Sequence, residues 1–212
     1  MNKIPFWTQM GQVDQYKVAL ADQLALVFGT GNVRTEWEAM LPSEKARFHP
    51  RPGSRSRMYS PWVDIAVGPF ALEGRYGLEY DEMLYRYRGL LDGLLAAHGE
   101  NATIFGSDFP GPYAQDLLHG NYNARCFLAI EIEKGNGQAK YLMGSALNAA
   151  ALGRVGVVVC WTDDRLHALL RIREYVAYLT TLEKNIFTSR NLLVVSRAQV
   201  HAALRATQLP AW

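Results

Sequence analysis

Hydrophobic and polar positions divide the chain into segments with helical spacing and segments that alternate or run continuously apolar. Near the start, Val13, Tyr16, Leu20, Leu24 and Val27 recur every three to four residues, the spacing of one buried helix face. The same criterion predicts helices over 12–28, 79–97, 138–152, 164–184 and 197–205, and strands over 58–68, 125–133, 155–161 and 191–195. This alternation of helices and strands predicts an α/β fold, a three-layer α/β/α sandwich around a mixed central sheet.

The middle of the chain carries the clearest topological signal. A strand at 125–133 is followed by a small-residue helix at 138–152 and a fully apolar strand at 155–161. The short links between these elements predict a right-handed crossover that joins two parallel strands at the centre of the sheet. Two other segments lack clean periodicity and are predicted to be loops: 30–57, with only a weak helix at 37–41, and 105–124.

Composition indicates one globular domain over 1–212, with a basic loop at 43–58 and a helical insertion at about 79–97. Hydrophobic residues make up 49% of the chain and the formal net charge is +2, which excludes a disordered chain and a protein that coats nucleic acid through charge alone. The first residues contain no apolar signal segment, and no apolar run approaches the ~20 residues that span a bilayer. Cys126 and Cys160 lie in apolar runs, as buried thiols of a reducing compartment do. We expect a cytoplasmic protein without membrane contact.

Acidic residues within predicted strands are the first candidates for chemistry. Asp64 lies inside an apolar strand, and Glu131 and Glu133 point to one face of another, ~6.6 Å apart along it. Neighbouring carboxylates repel unless a proton or a cation lies between them. If the two strands are neighbours, Asp64 and Glu131 can hold Mg²⁺ or Mn²⁺. Taken singly, Asp64 is more often a hydrogen-bonded strand residue, and the two glutamates more often form a solvated strand face.

These residues stand in two stretches, SPWVDIAVGPF (60–70) and FLAIEIEKGNGQAKYLMGSALNAAALGRVGVVV (127–159). The stretches resemble the PD-(D/E)XK nuclease superfamily, the fold of many type II restriction endonucleases. In that superfamily an Asp on one strand pairs with a (D/E)-X-K element on the next, and a helix and a buried strand follow. The resemblance implies a restriction-endonuclease-like fold and metal-dependent hydrolysis of DNA phosphodiester bonds.

Carried over by position, Asp64 matches the motif aspartate and Glu131 the first acid of the second motif, so both are the implied metal ligands. Glu133 stands where a lysine is usual, and an E-X-E form occurs in some restriction enzymes of this fold. Lys140, near the start of the crossover helix, is the candidate for a relocated lysine that stabilises charge, although a surface helix charge is its commoner role. The first helix of such folds often contributes an acid or a Gln, here Asp22 or Gln23.

A basic stretch precedes the Asp64 strand. Its cationic residues, uninterrupted by an acid, are Lys45, Arg47, Arg51, Arg55 and Arg57. Such a run is either a solvated surface or a contact to DNA phosphates, and its position next to the Asp64 strand favours the contact.

Two functions follow from these expectations. The first is a Mg²⁺- or Mn²⁺-dependent DNA endonuclease, for which a homodimer would suit the cutting of both strands of a duplex. The alternative is a catalytically inactive member of the same fold that binds nucleic acid or protein in a defence or repair complex, because the second motif has no lysine.

Overall fold

The computed structural model describes residues 13–48, 60–134, 138–184 and 188–207. Its strands are β1 (Val33–Glu38), β2 (Trp62–Val67), β3 (Cys126–Glu133), β4 (Gly153–Cys160) and β5 (Leu192–Ser196). Its α-helices are α1 (Val13–Phe28), α2 (Pro42–Phe48), α3 (Gly77–Arg86), α4 (Arg88–Phe105), α5 (Ala114–Leu118), α6 (Ala139–Leu152), α7 (Asp163–Thr181) and α8 (Arg197–Ala206).

The five strands form one open mixed sheet in the order β1-β2-β3-β4-β5. β1 pairs with β2, and β2 with β3, in antiparallel fashion. β3, β4 and β5 are parallel to one another. The crossover predicted from β3 through α6 to β4 is confirmed, and β3 is the middle strand of the sheet.

Hydrophobic residues cover both faces of the sheet. Ile65, Ile130 and Val157 share one buried cluster with residues of α1, α3, α4 and α8. Val158 and Val194, whose side chains point to the opposite face, share a second cluster with residues of α6 and α7. Helices therefore lie on both faces of a mixed sheet, as predicted, and the arrangement fits a three-layer sandwich.

A neutral polar cluster joins α4 to the free edge of β5. His98 Nδ1 accepts a hydrogen bond from the Val194 N–H at 3.0 Å, and His98 Nε2 lies 2.9 Å from the Gly111 carbonyl oxygen. Asn101 donates to the Val194 carbonyl oxygen and exchanges hydrogen bonds with the Gln199 amide. Side chains of α4 thus satisfy backbone groups that an edge strand would otherwise leave unpaired.

The prediction of a loop over 30–57 is wrong for its first part. Residues Val33–Glu38 form β1, an edge strand in which Trp37 is the buried side chain. The sequence VRTEWE does alternate, with Val33 and Trp37 on one face and three charged residues on the other, but two apolar positions in six residues are a weak signal. The pairing of this segment with β2 is decided by the tertiary fold. Pro42 begins α2, because a proline is compatible with the first turn of a helix, and the Glu44 carboxylate accepts a hydrogen bond from the Leu41 N–H.

The single helix predicted over 79–97 is also wrong. Two helices, α3 and α4, meet at Tyr87, whose ring packs 4.3 Å from the Phe28 ring. The hydrophobic spacing continues through this break, so the pattern does not reveal it. Residues 105–124 contain the short helix α5 in the segment predicted as loop.

Other expectations concern the cysteines and the membrane. Cys126 and Cys160 are buried, free thiols, as predicted, and burial raises the pKa of both. In the described part of the chain, every helix is too short or too polar to cross a bilayer.

Candidate active site

The candidate site lies where β2 and β3 separate. Their pairing runs from Val67↔Leu128 to Ile65↔Ile130, and the next positions in that register are Asp64 and Glu131. Beyond this point a side chain takes the place of the backbone hydrogen bonds between the two strands, since Asp64 Oδ2 accepts a hydrogen bond from the Ile132 N–H at 2.7 Å. The sheet therefore opens at the level of two carboxylates from neighbouring strands, which we call the carboxylate pair.

Glu131 is the member of the carboxylate pair with a strongly perturbed pKa. The pKa of Glu131 is raised from its ordinary 4.5 to about 9, first by burial, then by the charges of Asp64 and Glu133 and by a hydrogen bond with Asp64. A hydrogen bond from Asn148 of α6 partly opposes this rise. At neutral pH Glu131 therefore carries a proton, and its side chain is hydrogen-bonded to that of Asp64.

A lysine of α1, a helix that packs on one face of the sheet, contacts the carboxylate pair. Lys17 Nζ lies 2.8 Å from Asp64 Oδ1, and the same ammonium forms an ion pair with Glu36 of β1. Its side chain is 11% exposed. Burial alone would lower the pKa of Lys17, but hydrogen bonds and charges from Asp64 and Glu36 raise it above its usual value. Lys17 is consequently a permanent cation at neutral pH and cannot serve as a base.

Glu36 has a strained backbone at the position facing Asp64. It lies in β1 between the pairs Thr35↔Ile65 and Trp37↔Val63, yet its φ is 48°, in the left-handed region. Such a conformation costs a non-glycine residue about 1–3 kcal/mol. The Glu36 side chain is 55% exposed, so its ion pair with Lys17 contributes at most about 1 kcal/mol. Ion-pair stability alone does not offset the strain.

Glu133 and Lys140 lie farther from the centre. Glu133, two residues beyond Glu131, is partly buried, and its charge contributes to the raised pKa of Glu131. Lys140 is exposed on the first turn of α6, and its ammonium lies 5.0 Å from the centroid of the Tyr141 ring. It is eight residues, or about 12 Å along the helix axis, from Asn148. The lysine in contact with Asp64 is Lys17.

Part of the basic stretch belongs to α2. Lys45 Nζ lies 2.7 Å from Glu38 Oε2, and 5.4 Å from the centroid of the Trp62 ring at the start of β2. Arg47 is exposed and lies over the Phe48 ring. α2 is therefore a short basic helix rather than part of the predicted flexible loop at 43–58. The predicted phosphate contacts Arg51, Arg55 and Arg57 lie outside the described residues.

The carboxylate pair fits a hard divalent cation. Among the described residues, His, Cys, Asp and Glu form no group of three or more that could hold a metal ion, so the donor set here is a pair and not a triad. Mg²⁺ is commonly held by one or two carboxylates together with water and substrate phosphates. The proton on Glu131 occupies the place of the charge that a cation would supply.

The sequence patterns missed Lys17, Glu36 and Asn148. A signal for Lys17 was present, because it lies on the same helix face as Ala21, Leu24 and Phe28, four, seven and eleven residues on, all of which are buried. A lysine on a buried helix face needs a partner. Glu36 carries no comparable signal, since it meets Lys17 only once β1 is paired with β2.

Comparisons with protein-family models, curated proteins and solved structures gave no significant match to this chain. A function for this chain is therefore argued from the geometry of the site alone.

Proposed function

We propose that this protein is a metal-dependent endonuclease that hydrolyses DNA phosphodiester bonds. The observation that carries the proposal is the carboxylate pair at the opening between β2 and β3. There Glu131 has a pKa of about 9 and is hydrogen-bonded to Asp64. A divalent cation can replace this proton and compensate the charge of both carboxylates. A strongly perturbed acid beside a second acid, at a point where two neighbouring strands separate, is typical of a functional site.

The order of elements around the pair supports a restriction-endonuclease-like fold. The Asp64 strand β2 lies next to the Glu131 strand β3, and β3 is followed by α6 and then by the buried strand β4. This is the order in which the PD-(D/E)XK nucleases carry their two motifs, and α3, α4 and α5 then form an insertion between β2 and β3. The order of the strands and of α6 supports the proposal, whereas the insertion is an addition to the simple pattern of the two motifs.

The site's residues have distinct tasks in hydrolysis. Asp64 and Glu131 would hold Mg²⁺ or Mn²⁺, and the bound cation supplies Lewis-acid chemistry that activates water and stabilises charge on the phosphate. The oxygen of water bonds to phosphorus while an ester P–O bond breaks. One proton of the water goes to the leaving alkoxide and the other to solvent. Glu131 would give up its proton to act as a ligand, and Glu133 adds negative charge nearby.

DNA is the proposed substrate because cationic residues adjoin the site in the sequence. Arg47 is exposed on α2, and Lys45 stands between Glu38 and the Trp62 ring at the entrance to β2. Arg and Lys side chains contact phosphates without regard to base sequence, so they position the duplex while leaving its recognition sequence open.

The test is cleavage of supercoiled plasmid in Mg²⁺, Mn²⁺ or EDTA by the wild-type protein and by Asp64→Ala and Glu131→Ala. We expect metal-dependent cutting by the wild type and a loss on the order of 10³-fold in either variant. The matched controls are Asp92→Ala and Glu100→Ala, two exposed acids of α4. Circular dichroism checks that each variant is folded.

Wild-type cutting by a folded Asp64→Ala or Glu131→Ala protein would remove that residue from the site. Absence of cutting and of metal binding in the wild type would overturn the proposal and favour the catalytically inactive, nucleic-acid- or protein-binding alternative.

A further inference from the structure

We propose that Lys17, oriented by Glu36, is the cation that acts with the carboxylate pair on the scissile phosphate, in place of the lysine that the sequence E-X-E lacks at position 133. This inference rests on the proposed function. In this role Lys17 contacts a phosphate oxygen and is catalytic, whereas Glu36 acts through Lys17 and is a positioning residue.

The first support is the way Lys17 is anchored. Its neighbours Tyr16, Leu20 and Leu24 are buried in the core, so α1 holds the backbone of Lys17 in place. From there the ammonium reaches Asp64 Oδ1 at 2.8 Å. A positively charged group is thus placed within one hydrogen bond of a proposed metal ligand, from an element remote in sequence from both motifs.

The second support is the backbone of Glu36. Its left-handed φ of 48° occurs within β1, at the position that faces Asp64. Strained residues persist where the surrounding structure imposes them, and they concentrate at functional sites. Here the strained residue forms an ion pair with Lys17 at the edge of the site, and its side chain is otherwise largely exposed. We therefore assign the strain to orientation of the ammonium.

The third support is the number of donors. A lysine ammonium has three N–H groups, and Asp64 and Glu36 accept two of them. A phosphate oxygen that approaches the carboxylate pair can take the third. Lys140, the other candidate, is exposed on the first turn of α6, with its ammonium over the Tyr141 ring.

Two measurements on Lys17→Met separate this role from a structural one. Steady-state cleavage gives kcat and KM for DNA, and isothermal titration calorimetry with Mn²⁺ gives metal affinity without DNA. We expect kcat to fall by about 100-fold or more, because a charge that stabilises the transition state is lost. We expect Mn²⁺ to bind about fivefold more tightly, because the positive charge next to Asp64, which repels the metal ion, is removed. Structural damage would lower both quantities.

If Lys17→Met does not fold, the variants Lys17→Arg and Glu36→Gln test the catalytic role of Lys17 instead. Each should lower kcat about tenfold with KM for DNA unchanged, since the first displaces the charge and the second releases its orientation. Lys184→Met, a change at an exposed lysine beyond α7, is the matched control. Lys140→Met should reduce kcat less than Lys17→Met.

Several outcomes overturn the inference. These are wild-type kcat in the folded Lys17 variants, a parallel loss of metal affinity and cleavage, or a larger loss in Lys140→Met. If the wild-type protein neither binds Mn²⁺ nor cuts DNA, the proposed function is wrong, and this inference, which rests on it, is wrong as well. If the wild type does both and the Lys17 variants match it, the inference alone fails.

Discussion

The polar cluster between α4 and β5 and the carboxylate centre between β2 and β3 differ in charge and in how their polar atoms are satisfied. Around His98, neutral side chains pair with backbone groups of Val194 and Gly111. Around Asp64, several acids gather near one lysine, and burial together with the neighbouring acids keeps Glu131 protonated. Both clusters are largely shielded from water.

The difference shows what each cluster contributes. A neutral network whose polar groups are all hydrogen-bonded stabilises the fold, and its contribution does not change with pH near neutrality. A cluster of like charges opposes folding unless a proton or a cation compensates. The His98 cluster is therefore structural, whereas the composition of the carboxylate centre favours binding of a cation.

The largest expected contrast is in the pH dependence of stability, measured by urea unfolding in EDTA. The folded-state pKa of Glu131 is raised to about 9, so its favourable contribution is complete below about pH 4.5 and is lost as pH rises toward 9. Relative to Glu131→Gln, the wild type should lose several kcal/mol over this range. A pH-independent difference between the two proteins would contradict the assignment.

His98 should show the opposite sign. Burial, and then the charge of Arg173, lower its pKa from 6.5 to about 4. Its contribution is therefore complete above about pH 6.5 and is lost as pH falls toward 4. At pH 7, His98→Ala should cost about 3 kcal/mol or more, because it leaves a cavity and an unpaired Val194 N–H. In the folded fraction, cleavage per molecule should remain at the wild-type level; a selective loss of cleavage would link this cluster to the site.

Mg²⁺ should compensate the carboxylate centre and leave the His98 cluster unchanged. At a concentration 100-fold above its dissociation constant, a ligand of the folded state stabilises it by about 2.7 kcal/mol. We expect thermal unfolding of the wild type and of His98→Ala to shift upward equally with Mg²⁺, and that of Asp64→Ala to shift little. An equal shift in all three proteins would place the metal elsewhere.

The smallest contrast concerns Glu36. Glycine adopts a left-handed φ freely, whereas alanine retains the strain that Glu36 bears at 48°. Glu36→Gly should therefore be about 0.5–1 kcal/mol more stable than Glu36→Ala in urea unfolding. Both lose the same ion pair, so the comparison isolates the backbone. Equal stability of the two variants would show that the strain is small.

Much of the fold could be predicted because its elements carry local signals. The strand β3, the small-residue helix α6 and the apolar strand β4 follow one another with short links, and their parallel crossover is the topology that such links allow. The edge strand β1 and the break at Tyr87 were not predicted, since the alternation in the first is weak without its pairing to β2 and the second interrupts no hydrophobic spacing.

The candidate site divides along the same line. Asp64 and Glu131 stand out in the sequence by themselves, because an acid inside an apolar strand is unfavourable unless it is paired or hydrogen-bonded. Lys17 and Glu36 acquire their roles only in the folded protein, where α1 and β1 bring them to Asp64. Local pattern determines which residues are costly to bury, whereas the tertiary structure decides which of them meet, because charges act through space and the register of the sheet sets those distances.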